Sequence, residues 1–68
     1  MARDKAKDEK FFNCSEDYEI DYVAAQYANK QKVKDFIILK CKAGVIKYMT
    51  HKQLYELIQK ELGYSIPV

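Results

Sequence analysis

The fold of this chain depends on residues 30–49, which read KQKVKDFIILKCKAGVIKYM. Apolar residues recur there at spacings of three and four: Val33, Phe36, Ile37 and Cys41. This spacing is typical of a helix that buries one side. The segment therefore favours a helix over residues 30–43, with Gly44 as the residue just beyond its end.

A β-hairpin over residues 36–49 is the alternative for the same segment. Ile38 and Leu39 lie off the helical stripe, and the β-branched and aromatic content is typical of strands. The hairpin would turn at Ala43–Gly44, which lacks the Asn-Gly or Asp-Gly pair that tight hairpins prefer. The helix is the preferred prediction, and an α+β fold is retained as the alternative.

The preceding residues predict a first helix over 14–28. Either Asn13 or Ser15 is suited to cap it, and Asn13 with Glu16 matches a capping box. Asn29 tolerates left-handed geometry and marks the expected end. The buried stripe follows the spacing i, i+3, i+4, i+7: Ile20, Val23, Ala24 and Tyr27.

A third helix is predicted over residues 50–62. Thr50 and Gln53 form a capping box of the Thr-x-x-Gln type. Gly63 follows as the C-terminal capping residue. The apolar face of this helix consists of Leu54, Leu57, Ile58 and Leu62.

Together these segments predict an all-α, compact three-helix domain over residues 11–68, preceded by a disordered tail over residues 1–10. A chain of 68 residues makes one small domain, and its 49% apolar content is ample for a core. The predicted core consists of Ile20, Val23, Tyr27, Val33, Phe36, Ile37, Leu54, Leu57, Ile58 and Leu62.

The two cysteines, Cys14 and Cys41, are too far apart in sequence to form the close ligand pair of a structural zinc site. The N-terminus has no apolar signal segment, and the longest apolar run, residues 36–39, is far too short to cross a membrane. A cytoplasmic protein with no metal, no cofactor and no membrane contact is predicted. In that reducing compartment both cysteines would be buried thiols.

The sequence contains no enzyme signature. With glycine only at Gly44 and Gly63, no glycine-rich phosphate loop is present. His51 lies in the first turn of a helix and is expected to be solvated there. A cysteine–histidine pair would also need an orienting group and a pocket, so neither catalysis nor a small-molecule substrate is predicted.

Charge is strongly segregated along the chain. Residues 13–28 sum to −4 and residues 29–52 to +6, within a net charge of +2. Lysines in such a cluster can neutralise phosphates, and Tyr48 and Tyr55 could stack on bases. The candidate nucleic-acid-binding residues are Lys30, Lys32, Lys34, Lys40, Lys42 and Lys52.

The three helices would resemble a helix-turn-helix module if the third helix were the recognition helix, but two features oppose that interpretation. The connection before this helix is longer than the usual turn, and the helix itself is neutral and has no arginine.

The acidic residues near the start of the first helix offer an alternative function. They favour the positive end of the helix dipole, and they could also dock a basic partner. A protein-interaction module is therefore the second hypothesis, including a homodimer in which the acidic first helix meets the basic second. The candidate residues are Glu16, Asp17, Glu19 and Asp21.

The stretch Ser15–Tyr22, SEDYEIDY, resembles the helix start of a group of small bacterial three-helix domains of unknown function. The likeness extends loosely over residues 13–62, and its distinctive string is Glu16–Glu19. It implies a bacterial cytoplasmic protein and adds no mechanism. The apolar run 36–39 and the segment 45–49 depart from the pattern.

Overall fold

The computed structural model describes residues 5–65, which form three α-helices after a short 3-10 helix. The predicted all-α, three-helix fold is confirmed. The hairpin alternative is wrong, because residues 36–42 are helical and residues 43–49 form turns. None of the helices in the described part is long and apolar enough to span a membrane. The elements are the 3-10 helix Lys5–Glu9, α1 (Asp17–Ala24), α2 (Lys30–Lys42) and α3 (His51–Leu62).

The end of α2 explains why this segment is a helix and not a hairpin. Gly44 adopts a left-handed conformation with φ of 77°, which glycine reaches without steric cost. The Gly44 N–H donates to the Cys41 carbonyl at 3.1 Å, and the Val45 N–H donates to the Lys40 carbonyl at 3.0 Å. These two bonds make a Schellman motif, which satisfies the last carbonyls of the helix.

Helix α1 is shorter than predicted at both ends. Its N-cap is Glu16, which makes no side-chain capping bond, so the capping box of Asn13 and Glu16 is wrong. The Asn13 side chain instead accepts from the Ser15 N–H at 3.0 Å and shapes the turn before the helix. Asn29 is the N-cap of α2 and not the end of α1.

Helix α3 begins and ends as predicted. The Gln53 N–H donates to Thr50 Oγ1 at 3.2 Å, and the Thr50 N–H donates to Gln53 Oε1 at 3.0 Å. Gly63 caps the C-terminus with φ of 77°, and its N–H donates to the Gln59 carbonyl.

The core forms where the three helices meet. Seven of the ten predicted core residues are buried, while Phe36, Leu57 and Leu62 pack against its edge. Ile46 also reaches the core, so the connection between α2 and α3 contributes to it. The buried apolar residues are Phe12, Ile20, Val23, Ala24, Tyr27, Val33, Ile37, Ile46, Leu54, Tyr55 and Ile58.

The segment before α1 packs against the start of α3. Phe11 and Thr50 form an isolated antiparallel bridge, in which the Phe12 N–H donates to the Met49 carbonyl at 2.8 Å. The His51 N–H donates in return to the Lys10 carbonyl at 2.9 Å. Of the predicted tail, residues 1–4 lie outside the described residues, and the 3-10 helix Lys5–Glu9 follows them.

Candidate functional site

Three of the predicted lysines lie on one flank of α2. Lys30, Lys34 and Lys42 share this flank with Ile38, because all are separated by multiples of four residues. We call these three lysines the lysine row. Asp21 Oδ1 lies 3.1 Å from Lys30 Nζ and 3.9 Å from Lys34 Nζ, so α1 partly neutralises the start of the row.

The other three predicted lysines lie elsewhere. Lys40 is on the opposite flank of α2, with its Nζ 3.5 Å from Glu61 Oε1 of α3. Lys32 is exposed between the two flanks, and Lys52 is exposed in the first turn of α3. The six residues therefore do not form one continuous surface.

Of the two tyrosines expected to stack on bases, only Tyr48 is accessible. Its side chain is 76% exposed, and Lys47 Nζ lies 5.4 Å from the centre of its ring. Tyr55 is 1% exposed, and its hydroxyl accepts a hydrogen bond from Gln26 Nε2 at 2.7 Å. Tyr55 therefore belongs to the core.

Cys14 and Cys41 are joined by a disulfide, with their Cα atoms 5.8 Å apart. The prediction that both are buried thiols is wrong, since both are bonded and only partly buried. The long sequence separation gave no signal of this pairing. Free thiols are what a reducing cytoplasm predicts, so the disulfide gives that predicted location no support.

Two cavities flank the disulfide, and both are lined by Cys14 and Cys41. The larger, of about 430 Å³, includes Lys34 and Lys42 of the lysine row. The smaller, of about 210 Å³, includes Lys47 from the connection after α2. Lysines thus lie on both sides of the disulfide. The remaining lining residues are Asp17, Ile20 and Ile38 in the first cavity and Phe12, Asn13, Ser15 and Gly44 in the second.

The four predicted acidic residues are also divided. Glu16 and Asp17 are exposed at the start of α1, and Asp21 pairs with the lysine row. Glu19 is 8% exposed, with its Oε2 3.0 Å from Lys7 Nζ and 3.3 Å from His51 Nε2. Glu19 therefore turns away from the surface that a partner would reach.

His51 completes a buried polar cluster that the sequence did not indicate. It is 1% exposed, so the prediction of a solvated side chain is wrong. Its Nδ1 lies 2.9 Å from the Lys10 carbonyl and its Nε2 faces Glu19, so both ring nitrogens meet acceptors. A neutral ring can donate to only one of these acceptors, whereas a protonated ring donates to both. The ring also packs edge-on against Phe12, at 5.4 Å between centres.

Opposing effects act on the pKa of Glu19. Burial raises the pKa of this carboxyl. Hydrogen bonds from Lys7 and His51, together with their positive charges, lower the pKa by more than burial raises it, so the pKa lies below the ordinary value of 4.5. The carboxylate is therefore the stable form at neutral pH.

A separate groove of about 480 Å³ lies between the α2–α3 connection and α3. Val45, Tyr48, Met49 and Leu57 supply its apolar side. Its polar margin is lined by Gln53, Glu56 and Lys60. In the described part of the chain, no three His, Cys, Asp or Glu side chains are grouped so as to hold a metal ion.

Comparison with known proteins finds no matching family model, no matching curated protein and no matching solved structure. The resemblance to small bacterial three-helix domains therefore stays a prediction.

Proposed function

We propose that this protein is a non-catalytic nucleic-acid-binding module that contacts the phosphate backbone and does not read base sequence. One observation carries the proposal: Lys34, Lys42 and Lys47 line the cavities beside the disulfide, and Lys47 Nζ also lies 5.4 Å from the centre of the exposed Tyr48 ring. Cations beside an exposed aromatic ring are the usual elements of sequence-independent binding to single strands.

The charge around this surface supports phosphate contacts. Within the described residues, no carboxylate lies within ion-pair distance of Lys42 or Lys47. A phosphate can therefore approach either ammonium group without displacing an acidic partner. Lys40, in contrast, is already paired with Glu61.

The exposed side of α3 argues against reading of bases in the major groove. Lys52 and Lys60 are balanced there by Glu56 and Glu61, and no arginine is present. The connection between α2 and α3 is eight residues long, over 43–50, and exceeds a helix-turn-helix turn. The proposed contacts therefore come from α2 and its connection and not from a recognition helix.

The salt dependence of binding tests the phosphate contacts. Fluorescence anisotropy with a labelled random single-stranded oligonucleotide, and with its duplex, gives the affinity over a range of salt concentrations. Lys42→Gln is expected to reduce the slope of log K against log salt by about 0.7 on the single strand. Lys40→Gln removes the same charge two residues away on the opposite flank, and we expect an unchanged slope.

The tyrosine tests the stacking contribution. Tyr48→Ala is expected to weaken binding to the single strand by about 1–3 kcal/mol and binding to the duplex by much less. Tyr18→Ala is the matched control, because Tyr18 is also largely exposed but lies on α1. No binding of either nucleic acid at low salt would disprove the proposed function.

A protein-interaction module is the second candidate, with a second copy of this chain as the partner. Glu16 and Asp17 are exposed at the start of α1 and are complementary in charge to the lysine row. Such a homodimer would show a concentration-dependent mass in sedimentation equilibrium, and added salt would dissociate it. A constant monomer mass over the accessible concentration range would exclude it.

A further inference from the structure

We propose that the Cys14–Cys41 disulfide is a thiol–disulfide exchange site that prefers small anionic thiols, of the kind that carry carboxylates beside the thiol. This activity is separate from nucleic-acid binding and does not depend on it.

Access to the two sulfur atoms is the first support. Both cysteines are only partly buried, and each of them lines both flanking cavities. The larger cavity, of about 430 Å³, is within the range of roughly 300–1,000 Å³ that small-molecule sites occupy. We therefore expect a thiol of tripeptide size to reach a sulfur atom without unfolding of the chain.

The charge of the cavity walls is the second support. Lys34 and Lys42 line the larger cavity and Lys47 lines the smaller, whereas Asp17 is the only acidic residue lining either of them within the described chain. The positive charge of Lys34 is partly neutralised by Asp21, whose Oδ1 lies 3.9 Å from Lys34 Nζ. Lys42 and Lys47 are therefore the cations best placed to attract an anion. Ammonium groups near a sulfur also stabilise the thiolate that leaves during exchange.

The chemistry is two successive displacements. The external thiolate attacks one cysteine sulfur and forms a mixed disulfide, while the S–S bond breaks and its electron pair leaves on the other cysteine as a thiolate. A second external thiolate then attacks the external sulfur atom of the mixed disulfide. The bond between that sulfur and the cysteine breaks, and the cysteine leaves as a thiolate. The products are the free disulfide of the external thiol and two cysteine thiols on the protein, so the external thiol is the reductant.

The test compares glutathione with its diethyl ester on the oxidised, full-length protein. The two reagents have the same thiol-bearing peptide, but esterification removes both carboxylate charges. Rates are measured by quenching with acid and determining the masses of the oxidised, mixed-disulfide and reduced forms. The ratio of the two rates in concentrated urea, where the chain is unfolded, provides the reference for intrinsic reactivity.

We expect the ratio of the glutathione rate to the ester rate to be about two- to fivefold higher in the native protein than in urea. Lys42→Gln should reduce this preference, and added salt should weaken it. Lys40→Gln is the matched control, because it removes one positive charge from the far flank of α2. The ratio of the glutathione rate to the ester rate should be the same in this variant as in the parent protein.

Three results would overturn the proposal. One is the same rate ratio in the native and unfolded protein, and another is an equal effect of Lys42→Gln and Lys40→Gln. The third is reduction by glutathione only at urea concentrations that unfold the chain. Because the readout is mass and not nucleic-acid affinity, these results are independent of the oligonucleotide measurements.

Discussion

At the scale of single residues, the most unusual feature is the cluster that the partly buried Lys7 forms with the buried Glu19 and His51. A buried carboxylate is tolerated only when opposite charge and hydrogen bonds replace its water. Lys7 supplies charge at 3.0 Å and also lies 4.4 Å from the centre of the Tyr22 ring, so its ammonium group is held between an anion and an aromatic face. The cluster thus fixes the 3-10 helix against α1 and α3.

The lowered pKa of Glu19 predicts a loss of stability in acid. A carboxyl whose folded pKa is lower than its unfolded value stabilises the fold above the unfolded pKa. That contribution disappears as the pH falls from about 4.5 through the lowered folded value. Urea midpoints measured between pH 7 and pH 3 should therefore be lower below pH 4.5 than at neutral pH.

Glu19→Gln tests whether this carboxyl is responsible. The variant keeps the side-chain size but leaves Lys7 and His51 without their anion, so we expect the free energy of unfolding at pH 7 to fall by about 1–3 kcal/mol. Between pH 7 and pH 3, the free energy of unfolding of this variant should fall by less than that of the parent protein. Glu56→Gln, at an exposed site on α3, serves as the control and should follow the parent at every pH.

Single residues also show where sequence analysis stops. Tyr48 and Tyr55 look alike in the sequence, yet one is exposed and the other lies in the core bonded to Gln26. Glu19 looks like an ordinary acid near a helix start, and its partner His51 follows 32 residues later. No local pattern encodes such a pairing, because it depends on how the helices pack.

At the scale of elements, the helix ends differ in how much of their structure is local. The capping box of α3 involves Thr50 and Gln53, three residues apart, and was predicted correctly. The position of Gly44 is likewise predictable from the sequence, because a left-handed residue after a helix is a local requirement. Helix α1 has no side-chain cap, and its start at Asp17 therefore differs from the start that the sequence predicts.

A pair of substitutions distinguishes the true cap from the false one. Thr50→Ala removes the oxygen that accepts from the Gln53 N–H, and we expect the free energy of unfolding to fall by about 1 kcal/mol. Ser15→Ala should change it by less than about 0.5 kcal/mol, since Ser15 is exposed and is not the N-cap of α1. Urea denaturation followed by circular dichroism measures both, and an equal loss would contradict the cap assignment.

The burial of Ile46, in the connection between α2 and α3, is likewise not predicted by the local sequence. Ile46 lies between two helices, among turn residues, where the sequence predicts a connection or, in the hairpin alternative, a strand. Nevertheless it is fully buried, because the connection folds back over the core after Gly44.

At the scale of the whole molecule, covalent and hydrogen-bonded links hold the N-terminal segment to the rest of the chain. The disulfide joins it to the end of α2, and the Phe11–Thr50 bridge joins it to the start of α3. A domain of this size has a core worth only about 3–5 kcal/mol, so such links form a large part of its stability.

Removal of the disulfide should accordingly have a large effect. The bonded cysteines are 27 residues apart, and closing a loop of that length restricts the unfolded chain by about 3.5 kcal/mol. We expect the double variant Cys14→Ser/Cys41→Ser to unfold at a much lower urea concentration than the oxidised parent. Reductant should lower the midpoint of the parent and leave that of the variant unchanged, and a parent indifferent to reductant would contradict this account.

The fold is completed late in synthesis, because His51 and the buried residues of α3 come after the groups that they cover. A ribosome makes the N-terminal residues first, and Glu19 and Phe12 emerge well before the residues that cover them. Until His51 has left the ribosome, the carboxylate has only part of its partner set, and the backbone of Phe12 has no bridge to Met49. Both cysteines precede His51 in the chain, so their sulfur atoms leave the ribosome before the set of groups around Glu19 is complete.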